Sequence, residues 1–128
     1  MKNLSLLTLL FLLAFQTQDA SAQAISLEPL STYQTGIFDE GAAEIVAHDA
    51  QGQRLFFTNA DENTVVALNI SSPDQPMLAF TLDMSAYGDG VNSVAVANGL
   101  LAVAVEADPK QEPGSIVLFD TDGNFIQE

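Results

Sequence analysis

The chain has 128 residues, of which 17 are acidic and 3 basic, giving a formal net charge of −14, and it contains no cysteine. So negative a surface disfavours nucleic acid and anionic lipid headgroups as partners and attracts cations. Without cysteines there is no disulfide framework, so stability has to come from burial of apolar surface. The acidity is equally typical of a protein kept soluble in a salty medium, where salt screens the self-repulsion.

The first 22 residues have the pattern of a secretory signal peptide. Lys2 supplies the positive start, residues 4–15 are almost entirely apolar, and Ala20 and Ala22 form an A-x-A cleavage signal. The apolar run is too short to span a bilayer stably. We therefore expect a signal-peptide helix over 1–22, a mature domain over 23–128, and export to the periplasm, the extracellular space or the cell surface.

Downstream, short apolar runs alternate with turn clusters such as Asn98-Gly99, which predicts an all-β fold with tight hairpins. Beyond residue 22 no window shows a helical period. The expected strands of a first unit are 43–48, 54–59, 64–70 and 77–83. Those of a second unit are 92–97, 100–105, 115–120 and a strand that begins at Phe125.

The two units read as a repeat, in which Glu44, Leu55 and Thr64 align with Ser93, Leu100 and Ser115. A period of roughly 40–50 residues with four strands per unit is typical of β-propeller blades. The run 100–105 has no polar residue, as expected when neighbouring blades cover both faces of a sheet. We therefore predict a partial β-propeller of two four-stranded antiparallel blades, blade one at about 43–83 and blade two at about 92–128.

A further strand is expected at 27–32, where it would complete the last blade of a closed ring. Propellers usually close with about four to eight blades. The sequence is therefore interpreted as the N-terminal fragment of a longer propeller, with the remaining blades as its first partners. Two blades alone would leave sheet faces and edges open to association.

Several stretches resemble the choice-of-anchor I domain family. They are TYQTGIFDEGAAEIVA at 32–47, NADENTV at 59–65, GVNSVAV at 90–96, AVEA at 104–107, PG at 113–114 and FDTDG at 119–123. The family includes mesenchyme-specific cell-surface glycoprotein-like proteins and some bacterial proteins labelled alkaline phosphatase. The resemblance covers 27–128 and implies an exported domain related to YVTN and WD-type propellers. It does not imply a particular reaction.

In a propeller, the inter-blade loops and the loops between second and third strands share one face, which we call the acidic face because most carboxylates fall there. Oxygen-rich flexible loops suit calcium, which makes Ca²⁺ the candidate cofactor. Solvated loops, or hydrogen bonds that tie blade to blade, are the alternative. The candidate ligand or metal residues are Asp39, Glu40, Glu44, Asn59, Asp61, Asp89, Asn92 and Glu106.

Other motifs give weaker evidence of a functional site. His48 is the only histidine and there is no cysteine, which argues against zinc. The run DTDGN at 120–124 resembles the start of an EF-hand loop, but a turn between strands explains it better. Ser93 lacks the context of a nucleophile elbow. No catalytic residue is predicted.

Together these patterns favour an exported, non-catalytic scaffold that binds a protein or a cell-surface ligand, with no nucleic acid and no stable membrane span. The alternative is the N-terminal part of a calcium-dependent phosphoester hydrolase resembling alkaline phosphatase. In that alternative, carboxylates of the acidic face would hold calcium that polarises a phosphate.

The cleavage signal makes the first testable prediction. Small residues at Ala20 and Ala22 place the cut after Ala22. N-terminal sequencing of the exported protein should begin at Gln23. A mature protein that retains residues 4–15 would contradict the signal-peptide assignment.

Overall fold

A computed structural model of the chain describes residues 24–128. The predicted signal peptide and its cleavage residues Ala20 and Ala22 lie outside this range, so they stay predictions. Every element within the range is a β-strand. No helix in this part of the chain is long and apolar enough to cross a membrane.

The eight strands form two four-stranded antiparallel sheets in which neighbours follow chain order. This arrangement confirms the predicted all-β fold of two propeller-like blades. Sheet one comprises β1 (Val46–Asp49), β2 (Arg54–Asn59), β3 (Thr64–Asn69) and β4 (Met77–Asp83). Sheet two comprises β5 (Gly90–Ala97), β6 (Leu100–Glu106), β7 (Ser115–Asp120) and β8 (Phe125–Gln127).

The predicted strands agree with the observed ones within a few residues, and the largest difference is the start of β1. Ahead of Val46 the chain still bonds to the end of β2, but through an irregular pattern. The Ile45 amide donates to the Thr58 hydroxyl at 3.1 Å, while the Thr58 amide donates to the Ile45 carbonyl at 2.9 Å. Because a side chain replaces a backbone acceptor, the regular ladder begins only at Val46.

The strand expected at 27–32 is not formed. Residues 24–45 contain no strand and bond to no sheet edge as a ladder. The segment instead touches the β3–β4 loop, where the Ser31 hydroxyl donates to the Pro73 carbonyl at 2.7 Å. A strand requires a paired neighbour, and the sheet to which the prediction assigned 27–32 is not among the described residues.

The turn between β5 and β6 shows how the sequence specifies a hairpin. Asn98 and Gly99 both have positive φ, 52° and 78°. Two consecutive left-handed residues make the tight turn whose twist matches that of paired strands, and Asn-Gly is its preferred sequence. The predicted turn at these residues is confirmed.

Strand pairing also corrects the alignment of the two repeats. Leu55 lies opposite Leu68, and Leu101 lies opposite Phe119 at the same place in the second sheet. Leu55 is therefore equivalent to Leu101 and not to Leu100. By the same pairing, Val46 is equivalent to Val94. A slip of one residue moves a side chain to the other face of its sheet, so the distinction decides which residues meet between sheets.

The main core lies between the sheets, where β5 packs against β1, β2 and β3. Phe56 from sheet one and Leu101 from sheet two are both fully buried. Burying a side chain of this size contributes about 1.5–3 kcal/mol. The buried cluster consists of Phe56, Val65, Ala67, Met84, Val91, Val94, Leu101, Val103, Val105, Val117 and Phe119.

Each sheet also has an outer face, directed away from the other sheet. On sheet one that face carries Phe57, Val66 and Leu68, and Tyr33 from the preceding segment covers part of it. The Tyr33 and Phe57 rings are tilted with centroids 6.2 Å apart. On sheet two, Ile116 is 57% exposed. Within residues 24–128 no segment covers that second outer face.

Two polar side chains join the sheets at opposite ends of the strands. Asn63 donates from Nδ2 to the Gly88 carbonyl at 2.9 Å and accepts from the Val91 amide at 2.8 Å. At the other end, the Arg54 guanidinium donates to the Thr121 carbonyl and lies 2.7 Å from the carboxylate of Asp122. The packing of the sheets is therefore fixed at both ends by directional bonds.

Asn63 provides a prediction, because it combines two inter-sheet hydrogen bonds with a φ of 51°. Asn63→Ala should lower the free energy of unfolding by about 2–4 kcal/mol, since it leaves Gly88 O and Val91 N unpartnered and forces alanine into the left-handed region. Denaturant unfolding measures this loss.

The matched control is Asn98→Ala, at a second asparagine with positive φ in a turn. It removes the conformational preference without removing an inter-sheet bond. We expect its loss to be smaller than that of Asn63→Ala by about 1–3 kcal/mol, the cost of the unpaired groups. Equal losses would show that the Asn63 bonds do not hold the sheets together.

Candidate functional site

The loops that form the acidic face are joined to one another by backbone hydrogen bonds. The amide of Ala60, in the β2–β3 loop, donates to the carbonyl of Gly41 in the segment before β1 at 2.8 Å. The Asp89 amide, in the linker between sheets, donates to the Glu106 carbonyl at the end of β6 at 3.0 Å. Asn63 connects the β2–β3 loop to that same linker. The loops therefore form one continuous surface on rigid strands.

The candidate carboxylates lie on this surface without converging. Asp39, Glu40, Glu44, Asp61 and Asp89 are all exposed. Within residues 24–128, no three acidic or histidine side chains lie close enough together to hold a metal ion. The proposed calcium ligands therefore share a face but form no binding cluster in this part of the chain.

Asn59 is buried and takes part in the β2–β3 turn. Its Nδ2 donates to the Glu62 carboxylate at 2.9 Å, and its Oδ1 accepts from the Glu62 amide at 3.2 Å. Both polar ends of the side chain are thus engaged within four residues. This agrees with the alternative interpretation of Asn59, in which it is a structural hydrogen-bonding residue.

Asn92 and Glu106 are the two candidate residues that contact each other. Asn92 Nδ2 donates to one Glu106 oxygen at 3.0 Å, and Lys110 Nζ lies 2.9 Å from the other. The hydrogen bond and charge of Lys110, with a smaller contribution from Asn92, lower the pKa of Glu106, and Glu106 in turn raises the pKa of Lys110. These side chains, with Glu112, line a groove of about 210 Å³.

Two glycines allow the loops to lie directly on the end of β6. A Cβ on Gly88 would collide with the carbonyl oxygen of Glu106, and a Cβ on Gly114 would collide with that of Val105. Any larger residue at either position would lift a loop of the acidic face off the strand. Gly88 was not singled out from the sequence, whereas Gly114 belongs to Pro113-Gly114, one of the stretches quoted above and a recognisable turn signal.

Sequence reasoning also missed Asn63, Arg54 and Lys110. A weak signal for Asn63 was available, since asparagine in a turn adopts positive φ more readily than most residues other than glycine. The partners of Arg54 lie in the other repeat, with Asp122 at 2.7 Å. No local pattern reveals such a contact, because the two residues are brought together only by the packing of the sheets.

On the opposite face, the run 120–124 is a turn, as predicted. The Asp120 carboxylate accepts from the amides of Asp122 at 2.9 Å and Asn124 at 2.8 Å, and from Asn124 Nδ2 at 2.8 Å. His48 is exposed on β1. It lines a groove of about 180 Å³ between the ends of β1 and β5.

Asp120 predicts a pH dependence. Hydrogen bonds from the Asn124 side chain and backbone, which favour the charged form, lower the pKa of Asp120 in the folded state. The resulting stabilisation is complete above the unfolded-state pKa and is lost as the pH falls through the lower folded-state pKa. Unfolding experiments between pH 7 and pH 2 should show wild type and Asp120→Ala converging as the pH falls.

The control for this experiment compares Asp120→Asn with Asp120→Ala. Neither variant has a carboxyl group at this position, so their difference in unfolding free energy should not change with pH. The difference in unfolding free energy between wild type and Asp120→Ala could instead prove equally constant down to pH 2. In that case the ionised carboxylate would not be the group that stabilises the turn.

The sequence matches the model of the choice-of-anchor I domain over residues 44–127, about two thirds of the chain. No curated protein matches it significantly. The matched region begins just before β1 and ends with β8, so it contains both sheets. A domain of this kind implies a protein that is exported or associated with the cell surface. The chain therefore belongs to the choice-of-anchor I domain family.

Proposed function

We propose that this chain is an exported β-propeller segment whose acidic face binds a cationic ligand or a positively charged protein surface, and that it acts as a scaffold without catalysing a reaction. The observation that carries the proposal is the hydrogen-bonded continuity of the loops on that face. Loops held by a rigid sheet scaffold are where propellers and other folds usually place binding residues.

The candidate residues form two groups with different roles, which supports this proposal. Asn59, Asn92 and Glu106 are engaged in hydrogen bonds that shape the loops. Asp39, Glu40, Glu44, Asp61 and Asp89 are exposed. The first set pre-organises the surface, while the second supplies its negative potential. Such a potential accelerates association with a cationic partner and repels nucleic acid and anionic lipid.

The hydrolase alternative stays a prediction for the longer protein. It needs basic residues beside the calcium-binding carboxylates to bind a phosphate. Within residues 24–128, Arg54 is paired with Asp122 on the opposite face and Lys110 is paired with Glu106. No observation in this part of the chain favours phosphate chemistry over binding.

A titration with a decalysine peptide tests the proposed surface. The double variant Glu40→Gln/Asp61→Asn removes two charges from the acidic face. The control Glu28→Gln/Asp74→Asn removes two charges near the β3–β4 loop, where Ser31 bonds to Pro73. Both variants have the same net charge, so a difference between them reports where the peptide binds.

Isothermal titration calorimetry at low salt should show several-fold weaker binding for the acidic-face variant than for the control, and added salt should weaken both. Equal affinities for the two variants would mean that decalysine binding depends only on the net charge of the protein. That result would refute the acidic face as the interaction surface.

Calcium is a separate probe of the same face. If the carboxylates bind Ca²⁺ in the native protein, millimolar calcium should raise the midpoint of thermal unfolding by mass action, whereas sodium at matched ionic strength should not. The rise should be smaller in Glu40→Gln/Asp61→Asn than in the control variant. An unchanged midpoint would leave these carboxylates as a surface for larger cationic partners only.

A further inference from the structure

The loop between β3 and β4 begins with a short sequence motif, Asn69-Ile70-Ser71. It has the form N-x-S/T with a residue other than proline at its centre, and it is the one such motif downstream of residue 22. In exported proteins this motif is the acceptor for N-linked oligosaccharides. A three-residue motif also occurs by chance, so its structural surroundings decide whether it can be modified.

The motif is folded into a turn that brings its two recognised side chains together. The Ser71 hydroxyl donates to Asn69 Oδ1 at 2.7 Å, and the Ser71 amide donates to the same oxygen at 2.9 Å. An asparagine side chain that bonds to the backbone two residues ahead forms an Asx-turn. Both bonds end on Oδ1, so neither occupies Nδ2, the atom to which a glycan is attached.

The acceptor side chains are open to solvent. Asn69 and Ser71 are exposed, as are residues 72–75 that follow them. Asn69 is the last residue of β3, where it pairs with Arg54 of β2 and Met77 of β4. The turn therefore lies where a strand leaves its sheet, and within residues 24–128 no packed element has to move before an enzyme can reach it.

The centre of the motif is fixed to sheet one. The Ile70 amide donates to the Gln53 carbonyl at 2.9 Å, and the Ile70 side chain packs on the buried cluster of the outer face of sheet one. Beyond the motif the loop closes on itself, because the Gln75 amide donates to the Ser72 carbonyl at 2.9 Å. The fold of sheet one therefore holds Asn69 and Ser71 in the turn.

We propose that Asn69 is an acceptor for an N-linked oligosaccharide, and that the folded chain already holds it in the conformation in which it is modified. The donor is an oligosaccharide joined through a diphosphate to a lipid. Asn69 Nδ2 attacks the anomeric carbon of the first sugar, and a carbon–nitrogen bond forms as the bond from that carbon to the diphosphate oxygen breaks. The lipid diphosphate leaves with the bonding electrons, and an Nδ2 proton passes to a base of the transferring enzyme.

The turn favours this step in two ways. An amide nitrogen is a weak nucleophile, because its lone pair is delocalised into the carbonyl group. Two donors on Asn69 Oδ1 stabilise negative charge on that oxygen, which makes the Nδ2 protons easier to remove. The Ser71 hydroxyl donates to Oδ1 and keeps its own lone pairs free to accept a hydrogen bond from the enzyme.

The position of Asn69 leaves the proposed binding surface free. The β2–β3 loop, at the start of β3, lies on the acidic face, and Asn69 lies at the other end of the strand. β3 spans six residues, so its ends are about 17 Å apart. A glycan is bulky and solubilising. At Asn69 it would cover the opposite end of sheet one, so the inference goes beyond the proposed function and does not depend on it.

Glycan transfer to the purified, folded chain tests the proposal. The exported protein is incubated with an oligosaccharyltransferase that recognises N-x-S/T and with a lipid-linked oligosaccharide. Wild type should gain the mass of one glycan. Peptide N-glycosidase converts the modified asparagine into aspartate, so mass spectrometry should then place the change at Asn69. Asn69→Gln and Ser71→Ala should gain no glycan, whereas Ser71→Thr keeps the hydroxyl and should be modified like wild type.

A second acceptor motif separates the effect of the turn from that of exposure. In the Asn69→Gln background, Leu100→Ser places an N-x-S motif at Asn98, which is exposed in the hairpin between β5 and β6. Among the described residues the Asn98 side chain forms no Asx-turn. Folded protein should be modified several-fold more slowly at Asn98 than at Asn69. Rates measured on unfolded peptides of the two sites correct for their difference in sequence, and circular dichroism checks that the variants keep their strands.

Three results would overturn the proposal. A folded wild type that gains no glycan would show that the structure does not present Asn69 to the enzyme, whether or not its unfolded peptide is modified. Transfer that survives Asn69→Gln would place the acceptor elsewhere. Equal corrected rates at Asn69 and Asn98 would show that exposure alone governs transfer and that the turn does not prepare the site.

Discussion

The structure depends on burial of apolar surface between two antiparallel sheets. Phe56, Leu101, Val103 and Val117 are fully buried there, and no disulfide assists them. A sheet with an apolar face has to bury that face against another element of structure. Each sheet therefore needs the other to cover one of its apolar faces.

Directional bonds decide how the two sheets meet. Apolar packing alone tolerates small slips, because hydrophobic contact has no preferred direction. Asn63 and Arg54 remove that freedom at the two ends of the strands, since each bonds to a defined backbone carbonyl of the other repeat or its linker. The same contacts of Asn63 join the loops of the acidic face. The inter-sheet geometry and the proposed binding surface therefore have a common structural origin.

Much of the fold was predictable from the sequence, because strands and hairpins are local features. The Asn98-Gly99 turn and the limits of β2 and β7 follow from turn chemistry and β-branched runs. The alignment of the repeats was wrong by one residue in the first two strands, since apolar runs without alternation do not reveal which face a residue occupies. The strand at 27–32 could not be decided locally, because pairing depends on a neighbouring sheet.

The candidate site was predictable only as a set of loops. Propeller topology placed the acidic residues on one face, and the hydrogen bonds between loops agree with that placement. The roles of individual side chains were not predictable. Asn59 and Glu106 were candidates for ligand binding. In the structure Asn59 bonds to Glu62, and Glu106 bonds to Asn92 and Lys110. Such pairings depend on side-chain distances that sequence spacing does not determine.

The central claim is that the two sheets are stable only together, and native-state hydrogen exchange tests it most directly. Strand amides in β2, β3, β6 and β7, together with the Val91 amide bonded to Asn63, should exchange through one common opening with the same free energy. If the amides of sheet one and sheet two exchanged with clearly different free energies, the sheets would open independently, which would contradict the account.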